Sequence, residues 1–238
     1  MDPVLARGLP SPDPAENLAT LRGWAAAAAA RGSTLLATPE LFCSASSTTP
    51  GGWLRAQLAY IAKKECIALA ASTPEQDGDL TYVSASMWNA RGSLVAHVRK
   101  VRPSAAQLDA GFSGWDGPPP PVDMRGLLHP ARHPEAGTWA LSVGEDAHIP
   151  ELRSHWARSG ARMVLRLLPA ATVLEPLEAA GAWAPTRTGV PFPQAGPLPE
   201  PLLNPLPLRF AGWSAWQDGL GQQDGVAGEA GASRGRGS

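Results

Sequence analysis

The order of the predicted secondary-structure elements constrains the fold of this chain more than any other feature. Apolar runs typical of buried strands alternate with segments in which apolar residues recur at helical spacing. The predicted helices cover residues 13–30, 53–64 and 150–159, and the predicted strands cover residues 34–38, 67–72, 81–88, 94–101, 139–143 and 163–168. Elements that alternate in this way bury their apolar faces in layers, so the sequence predicts a layered α/β fold.

Local signals support two of these elements directly. Asp13 is a favourable N-cap, Pro14 suits the first helical position, and Gly32 ends the first helix. Two of the predicted strands flank the sequence Asn-Ala-Arg-Gly at residues 89–92, which is typical of a turn. These strands are therefore predicted to form a hairpin whose second strand ends near Lys100.

Composition and charge exclude several functional classes. The formal net charge is −1 and the chain contains no basic run, so we expect no nucleic-acid partner. The longest apolar stretch, residues 24–30, is too short to cross a bilayer, and residues 1–10 contain no apolar segment typical of a signal peptide. Cys43 and Cys66 lie far apart in sequence, which favours free thiols in a reducing compartment. We therefore expect a cytoplasmic protein without a membrane partner.

The histidines do not form a recognisable metal site. His129 and His133 have the spacing of a helical ligand pair, but Pro130 and Pro134 oppose a helix there. We therefore expect no metal and no other cofactor.

The C-terminal part of the sequence differs from the rest. Seven prolines fall within residues 191–207, which disfavours regular structure. Residues 210–218 contain an apolar run that ends in Asp-Gly and predict one more hairpin. Residues 221–238 are rich in Gly, Ala, Ser, Gln and Arg and predict a disordered tail. We therefore expect one domain over residues 1–220.

Three residues at the ends of predicted strands are candidates for a catalytic site. Glu40 follows the first of the predicted strands in a Pro-Glu pair, and Lys100 ends the predicted hairpin. Residues 140–146, Ala-Leu-Ser-Val-Gly-Glu-Asp, read as a buried strand, a sharp turn and a helix start, with Gly144 at the turn. A sharp strand-to-helix turn is where a nucleophile is exposed in several hydrolase folds.

In this order these segments resemble the nitrilase, or carbon-nitrogen hydrolase, superfamily. The resemblance covers about residues 4–220 and is weakest over residues 171–209. It includes Pro-Glu-Leu-Arg at 150–153, Gly-Ala at 160–161 and Phe-x-Gly-x-Ser at 210–214. It implies an α-β-β-α sandwich and a homodimer that pairs through helices near the strand-to-helix turn.

In that family a Glu, a Lys and a Cys hydrolyse amides, nitriles or carbamoyl groups. The resemblance implies that Glu40 is the base, that Lys100 supplies positive charge, and that Gly144 stands where the family has its nucleophilic Cys. The family also has a second Glu, for which only Gln107 or Asp109 is available here.

Four further residues near these segments have simpler interpretations. Glu145 and Asp146 are interpreted as negative charges that stabilise a helix N-terminus. Ser142 lies two residues before the turn and is interpreted as an ordinary strand residue. Cys43 follows Glu40 by three positions and is expected at the edge of the same pocket, without the turn that exposes a nucleophile.

Glycine at the turn has consequences for both catalysis and stability. Nucleophile turns hold strained backbone that glycine tolerates, so Gly144→Cys is expected to lower the free energy of unfolding by about 1 kcal/mol. Three functional hypotheses follow. The first is a catalytically silent protein that binds a small amide, nitrile or carboxylate, or acts as a partner subunit. The second is an active, divergent amidohydrolase that uses Glu40 and Lys100 with water or another nucleophile. The third is an interaction protein whose segment 191–207 docks on a partner.

Overall fold

The computed structural model describes residues 3–117, 121–124, 137–177 and 187–188. The first part of these residues contains β1 (Val4–Leu5), α1 (Pro14–Ala30), β2 (Leu35–Ala37), α2 (Gly51–Lys64), β3 (Ala68–Asp77), β4 (Leu80–Trp88), β5 (Leu94–Arg99) and α3 (Ala105–Asp109). The second part contains β6 (Phe112–Ser113), β7 (Val122–Asp123), β8 (Thr138–Val143), a 3₁₀ helix (Gly144–His148), α4 (Pro150–Arg158), β9 (Ala161–Leu167), β10 (Thr172–Pro176) and β11 (Arg187–Thr188).

These strands form two sheets. The first has the order β1-β2-β3-β4-β5, with β6 paired to β4. Its strands β1, β2 and β3 are parallel, whereas β3, β4 and β5 form an antiparallel meander. The second sheet has the order β11-β10-β9-β8-β7, with β8 and β9 parallel. The strands that end at the candidate site, β2, β5 and β8, therefore come from both sheets.

Alternation along the strands places the sheets face to face. Leu141 and Val143 of β8 pack with Val83 and Ala85 of β4 in the core between the sheets. Ala140, which precedes Leu141 and faces the other way, packs instead against α4 on the outside of the second sheet. Helices α1 and α2 cover the outside of the first sheet in the same way. The result is the predicted α-β-β-α sandwich.

Most predicted elements are confirmed with shifted ends. Asp13 caps α1 by accepting a hydrogen bond from the backbone N–H of Ala15, as its position predicts. The predicted strand 67–72 is β3 and continues to Asp77, because the polar residues beyond Ser72 stay paired with β4. No helix or strand is predicted between residues 101 and 139, whereas α3 lies within this stretch.

Several predictions fall outside the described residues. These are the proline-rich segment 191–207, the hairpin at 210–218, the tail at 221–238, and the pair His129 and His133. None of the described helices combines the length and the hydrophobicity that a membrane span requires.

Candidate active site

Glu40 lies just beyond β2, where the two sheets meet. Its backbone N–H donates to the carbonyl of Leu168 in the second sheet at 2.8 Å, and its side chain is buried. The next residue, Leu41, has a φ of +52°, which non-glycine residues seldom adopt. The chain therefore turns sharply after Glu40, and the carboxylate is directed inward at the junction of the sheets.

Lys100 lies just beyond β5 and forms a buried ion pair with Glu40. Its backbone N–H donates to Val83 at 2.8 Å, and its carbonyl accepts from Trp115 at 3.1 Å. Its Nζ donates to Glu40 Oε1 at 2.7 Å, and each of the two residues is only 3% exposed. A pair buried to this extent is stable only with good geometry and further hydrogen bonds.

Gln107 supplies those further hydrogen bonds. Its Oε1 accepts from Lys100 Nζ at 2.8 Å and its Nε2 donates to Glu40 Oε1 at 2.8 Å. Gln107 also forms a reciprocal capping box with Ser104, which fixes α3 and the amide group together. Of the two residues available for the family's second Glu, the structure brings Gln107 to the ion pair, whereas Asp109 is exposed at the end of α3.

Gly144 begins the 3₁₀ helix after β8 and faces the ion pair. Its φ is +56°, in the left-handed region that favours glycine. A Cβ built on its backbone would lie 3.0 Å from Glu40 Oε2 and inside van der Waals distance of Lys100 Nζ. Any side chain at position 144 is therefore directed between the carboxylate and the ammonium group. Glu40 Oε2 is buried and has no hydrogen-bond partner among the described residues.

The interpretation of Glu145 and Asp146 as simple helix-terminal charges is wrong for Asp146. Asp146 is buried, and its two carboxylate oxygens accept the backbone N–H groups of Val101 and Arg102. Burial raises the pKa of Asp146, and these two hydrogen bonds oppose the rise. Glu145 is largely exposed and pairs with Arg166 at 3.0 Å.

The other side chains considered as nucleophiles lie elsewhere. Cys43 is buried among the residues that pack α1 and α2 against the first sheet, and burial raises the pKa of its thiol to about 12. Ser142 alternates with Leu141 and Val143 and so points to the outer face of the second sheet. The expectation that Cys43 edges the same pocket is not supported by its packing, because its neighbours are outer-layer residues such as Trp24.

A cavity of about 450 Å³ lies beside α4 and is separate from the ion pair. It is lined by Val101 and Arg102 on one side and by Leu152 and His155 of α4 on the other. Glu40, Lys100 and Gly144 do not line it. We therefore assign the candidate site by the polar contacts of these three residues and not by the cavity.

The sandwich and the buried Glu-Lys pair at a strand-to-helix turn together define a nitrilase-type hydrolase fold. Residues 4–191 match the family model for carbon-nitrogen hydrolases, and the chain belongs to this family. No curated protein sequence matches the chain.

Solved structures of the amidase from Nesterenkonia sp. AN1, of the nitrilase superfamily, are similar to this chain. A cysteine-to-serine variant of that amidase has 26% sequence identity and a TM-score of 0.59, and the match covers 70% of this chain and 64% of that one. A glutamate-to-glutamine variant, with acrylamide added at its active-site cysteine, has 25% identity, a TM-score of 0.60 and coverage of 70% and 66%. A cysteine-to-alanine variant in complex with butyramide has 26% identity, a TM-score of 0.59 and coverage of 70% and 64%. The chain thus spans slightly less than two thirds of the length of these amidases.

Proposed function

We propose that this carbon-nitrogen hydrolase family protein binds small primary amides at Glu40 and Lys100 without hydrolysing them. The observation that carries the proposal is Gly144, whose missing side chain would be directed between the two charged groups. A base and a cation are present at this place, and no nucleophilic side chain of the described residues lies between them.

The missing side chain accounts for the lack of turnover. Covalent amide hydrolysis needs a nucleophile within reach of its base. Loss of the nucleophile in a well-studied serine protease lowers turnover by about a millionfold. Cys43 does not replace it, because its thiol is buried, protonated at neutral pH and packed in the outer layer.

The hydrogen-bonding groups at the ion pair favour an amide over related ligands. Glu40 Oε2 is a free acceptor, and the third Nζ–H of Lys100 has no partner among the described residues. A primary amide offers an N–H to the first and a carbonyl to the second. A carboxylate would place an oxygen against Glu40 Oε2, and a nitrile has no N–H to donate. Variants of one similar amidase, from Nesterenkonia sp. AN1, have been captured in complex with butyramide and with acrylamide added at the active-site cysteine, which is consistent with this choice.

One observation favours an alternative function, that of an active amidohydrolase without a covalent intermediate. The free Glu40 Oε2 points to the space beside Gly144, where it could accept a proton from a water molecule. Lys100 would then stabilise the oxyanion. This alternative requires turnover by the unmodified chain.

The test combines turnover and binding in four proteins: the unmodified chain, Gly144→Cys, Gly144→Ala and Glu40→Gln. Ammonia release is measured with a panel of amides, nitriles and carbamoyl compounds, and binding of butyramide and butyrate is measured by calorimetry. We expect the unmodified chain to be silent and to bind butyramide at least about tenfold more tightly than butyrate, a difference of about 1.4 kcal/mol. Gly144→Ala adds the same Cβ as Gly144→Cys but no thiol, so it is the matched control for restored turnover.

The outcomes separate the hypotheses. Turnover in Gly144→Cys but not in Gly144→Ala supports an intact site around a missing nucleophile. Turnover by the unmodified chain that disappears in Glu40→Gln overturns the proposal in favour of the water route. Failure of the unmodified chain to bind butyramide overturns it in favour of a structural or partner-binding role.

A further inference from the structure

Asp146 connects the two sheets at the candidate site. It lies in the 3₁₀ helix that follows β8 of the second sheet, and it is 2% exposed. Its Oδ2 accepts the N–H of Val101 at 2.6 Å and its Oδ1 accepts the N–H of Arg102 at 2.9 Å. Val101 and Arg102 directly follow Lys100, beyond the end of β5 of the first sheet.

These two hydrogen bonds begin where the sheet hydrogen bonds end. The backbone N–H of Lys100 donates to the carbonyl of Val83 on β4, and its carbonyl accepts from the N–H of Trp115. The next two N–H groups have left the sheet, and the carboxylate of Asp146 accepts both. A carboxylate is the side chain that can accept two adjacent N–H groups without offering a donor in return. The Asp146 carboxylate therefore binds the backbone that follows Lys100 and does not cap its own helix.

We infer that Asp146 is a positioning residue that fixes the Lys100 ammonium group relative to the turn at Gly144. Gly144 and Asp146 lie two residues apart in the turn, and Lys100 and Val101 are adjacent in the chain. Asp146 accepts a hydrogen bond from Val101, and Gly144 faces the Lys100 ammonium group, so the turn meets the Lys100 segment at two neighbouring residues. Loss of the carboxylate would free the end of β5, and Lys100 would move away from position 144. The inference rests on the proposed function for the identity of the site.

The test uses a thiol introduced at the turn as a reporter. Because its Cβ would contact the Lys100 ammonium group, pKa values are compared only among proteins that all carry this introduced Cys. Gly144→Cys is made in a Cys66→Ser background, because Cys66 is exposed and would react, whereas Cys43 is buried. The pKa of the introduced thiol is measured from the pH dependence of its alkylation by iodoacetamide. Neither turnover nor ligand binding is needed, so the test stands even if the proposed function fails.

The sign of the thiol pKa change separates positioning from simple charge. Removal of the negative charge in Asp146→Asn would by itself lower the thiol pKa, because an anion nearby disfavours a thiolate. Loss of the nearby Lys100 ammonium would instead raise it by about 1. We expect a rise in Asp146→Asn, and no rise when Lys100→Met is already present.

Two further variants complete the test. Glu145→Gln removes the neighbouring, exposed carboxylate, which binds Arg166 and not the Lys100 segment, and we expect no rise in the thiol pKa. Asp146→Glu keeps the charge but lengthens the side chain by one methylene, so we again expect a rise in the thiol pKa. This variant replaces Asp146→Asn if Asp146→Asn does not fold. A lowered or unchanged thiol pKa in a folded Asp146 variant overturns the inference.

Discussion

At the scale of single residues, the candidate site is built on backbone that most side chains avoid. Leu41, next to Glu40, and Gly144 have φ values of +52° and +56°. Each departure costs a non-glycine residue about 1–3 kcal/mol and persists only where the surroundings enforce it. Leu41 is held by burial between the sheets, whereas Gly144 adopts the same region without a Cβ penalty. The turn at position 144 thus adopts a left-handed backbone that glycine tolerates without strain.

The structure raises the expected cost of a side chain at position 144 above the value of about 1 kcal/mol that backbone strain alone suggested. Gly144→Ala is expected to lower the free energy of unfolding by more than backbone strain accounts for. The strain accounts for about 1–2 kcal/mol, as for any L-residue forced into the left-handed region. The new Cβ would also meet the Lys100 ammonium group, which is tied to Glu40 and Gln107 and cannot swing away without breaking those bonds. The free energy of unfolding is measured by urea denaturation at neutral pH.

Gly78→Ala is the matched control for this prediction. Gly78 has a φ of +59°, but a Cβ there would meet no atom within 4 Å. The loss of unfolding free energy in Gly78→Ala therefore measures the cost of backbone strain alone. Equal losses in the two variants would show that Lys100 yields freely, and no loss in either would contradict the strain argument.

At the scale of elements, the meander β3-β4-β5 carries a second buried charge cluster centred on Glu75. Glu75 accepts hydrogen bonds from Ser84 on β4 and from His97 and Arg99 on β5, the last two at 2.8 Å. Burial alone would raise the pKa of Glu75, but the hydrogen bonds from His97, Arg99 and Ser84 together hold it well below its usual range. The cluster lies on the outer face of the sheet, away from the candidate site.

Glu75→Gln is expected to destabilise the protein in a pH-dependent way. Removing one partner from a buried ion pair costs about 3 kcal/mol, and Arg99 would keep only the exposed carboxylate of Asp77 among its described ion-pair partners. The folded-state pKa of Glu75 is depressed, so its contribution is present above the unfolded pKa of about 4.3 and is lost as the pH falls below that value. The difference in unfolding free energy between wild type and variant should therefore be larger at pH 7 than at pH 3.

Asp77→Asn is the control for this pH dependence. Asp77 also pairs with Arg99 at 2.8 Å, but its side chain is 59% exposed, and exposed pairs contribute less than about 1 kcal/mol. A gap between wild type and Glu75→Gln that stays constant from pH 7 to pH 3 would contradict the assignment of the effect to the Glu75 carboxylate.

The elements that carry strong local signals are the ones that the sequence predicts well. The helix α1 is marked by the Asp13 cap, and the β4–β5 hairpin by its turn sequence. The second half of β3 and the short helix α3 were missed, because their sequences are polar and lack a clear apolar period. Their structure depends on pairing with β4 and on the Ser104–Gln107 capping box.

The candidate site was likewise only partly predictable from local sequence patterns. Glu40, Lys100 and Gly144 were found from the order of short motifs, which a sequence displays directly. The cross-link through Gln107 and the contact of Asp146 with the Lys100 segment join residues 67 and 45 positions apart. Such contacts follow from how the two sheets pack, and no local pattern in the sequence specifies them.

At the scale of the whole molecule, the two sheets are also joined directly through the backbone. The N–H of Glu40 donates to Leu168, and the N–H of Thr172 donates to Ala6. The hydroxyl of Thr172 lies 2.8 Å from the carbonyl of Ala6 and 3.1 Å from that of Ala37, so one side chain of the second sheet contacts both β2 and the residue that follows β1. Pairing of two such sandwiches into a homodimer remains a prediction from family resemblance.

Two buried threonines can measure how much this junction contributes to stability, because the hydroxyl of one is hydrogen-bonded and the hydroxyl of the other has no partner in the described part of the chain. Thr172→Val removes the hydroxyl that joins the sheets, and we expect the free energy of unfolding to fall by about 1 kcal/mol, the net value of a typical hydrogen bond. Thr73→Val removes a hydroxyl that is equally buried but has no partner within the described residues, so stability should stay constant or rise. Both changes keep the β-branched shape, so urea unfolding with an unchanged denaturant dependence compares the hydroxyl groups alone. Equal effects in the two variants would mean that the junction contributes nothing beyond packing, and the position of Glu40 against the second sheet would then depend on the apolar core between the sheets.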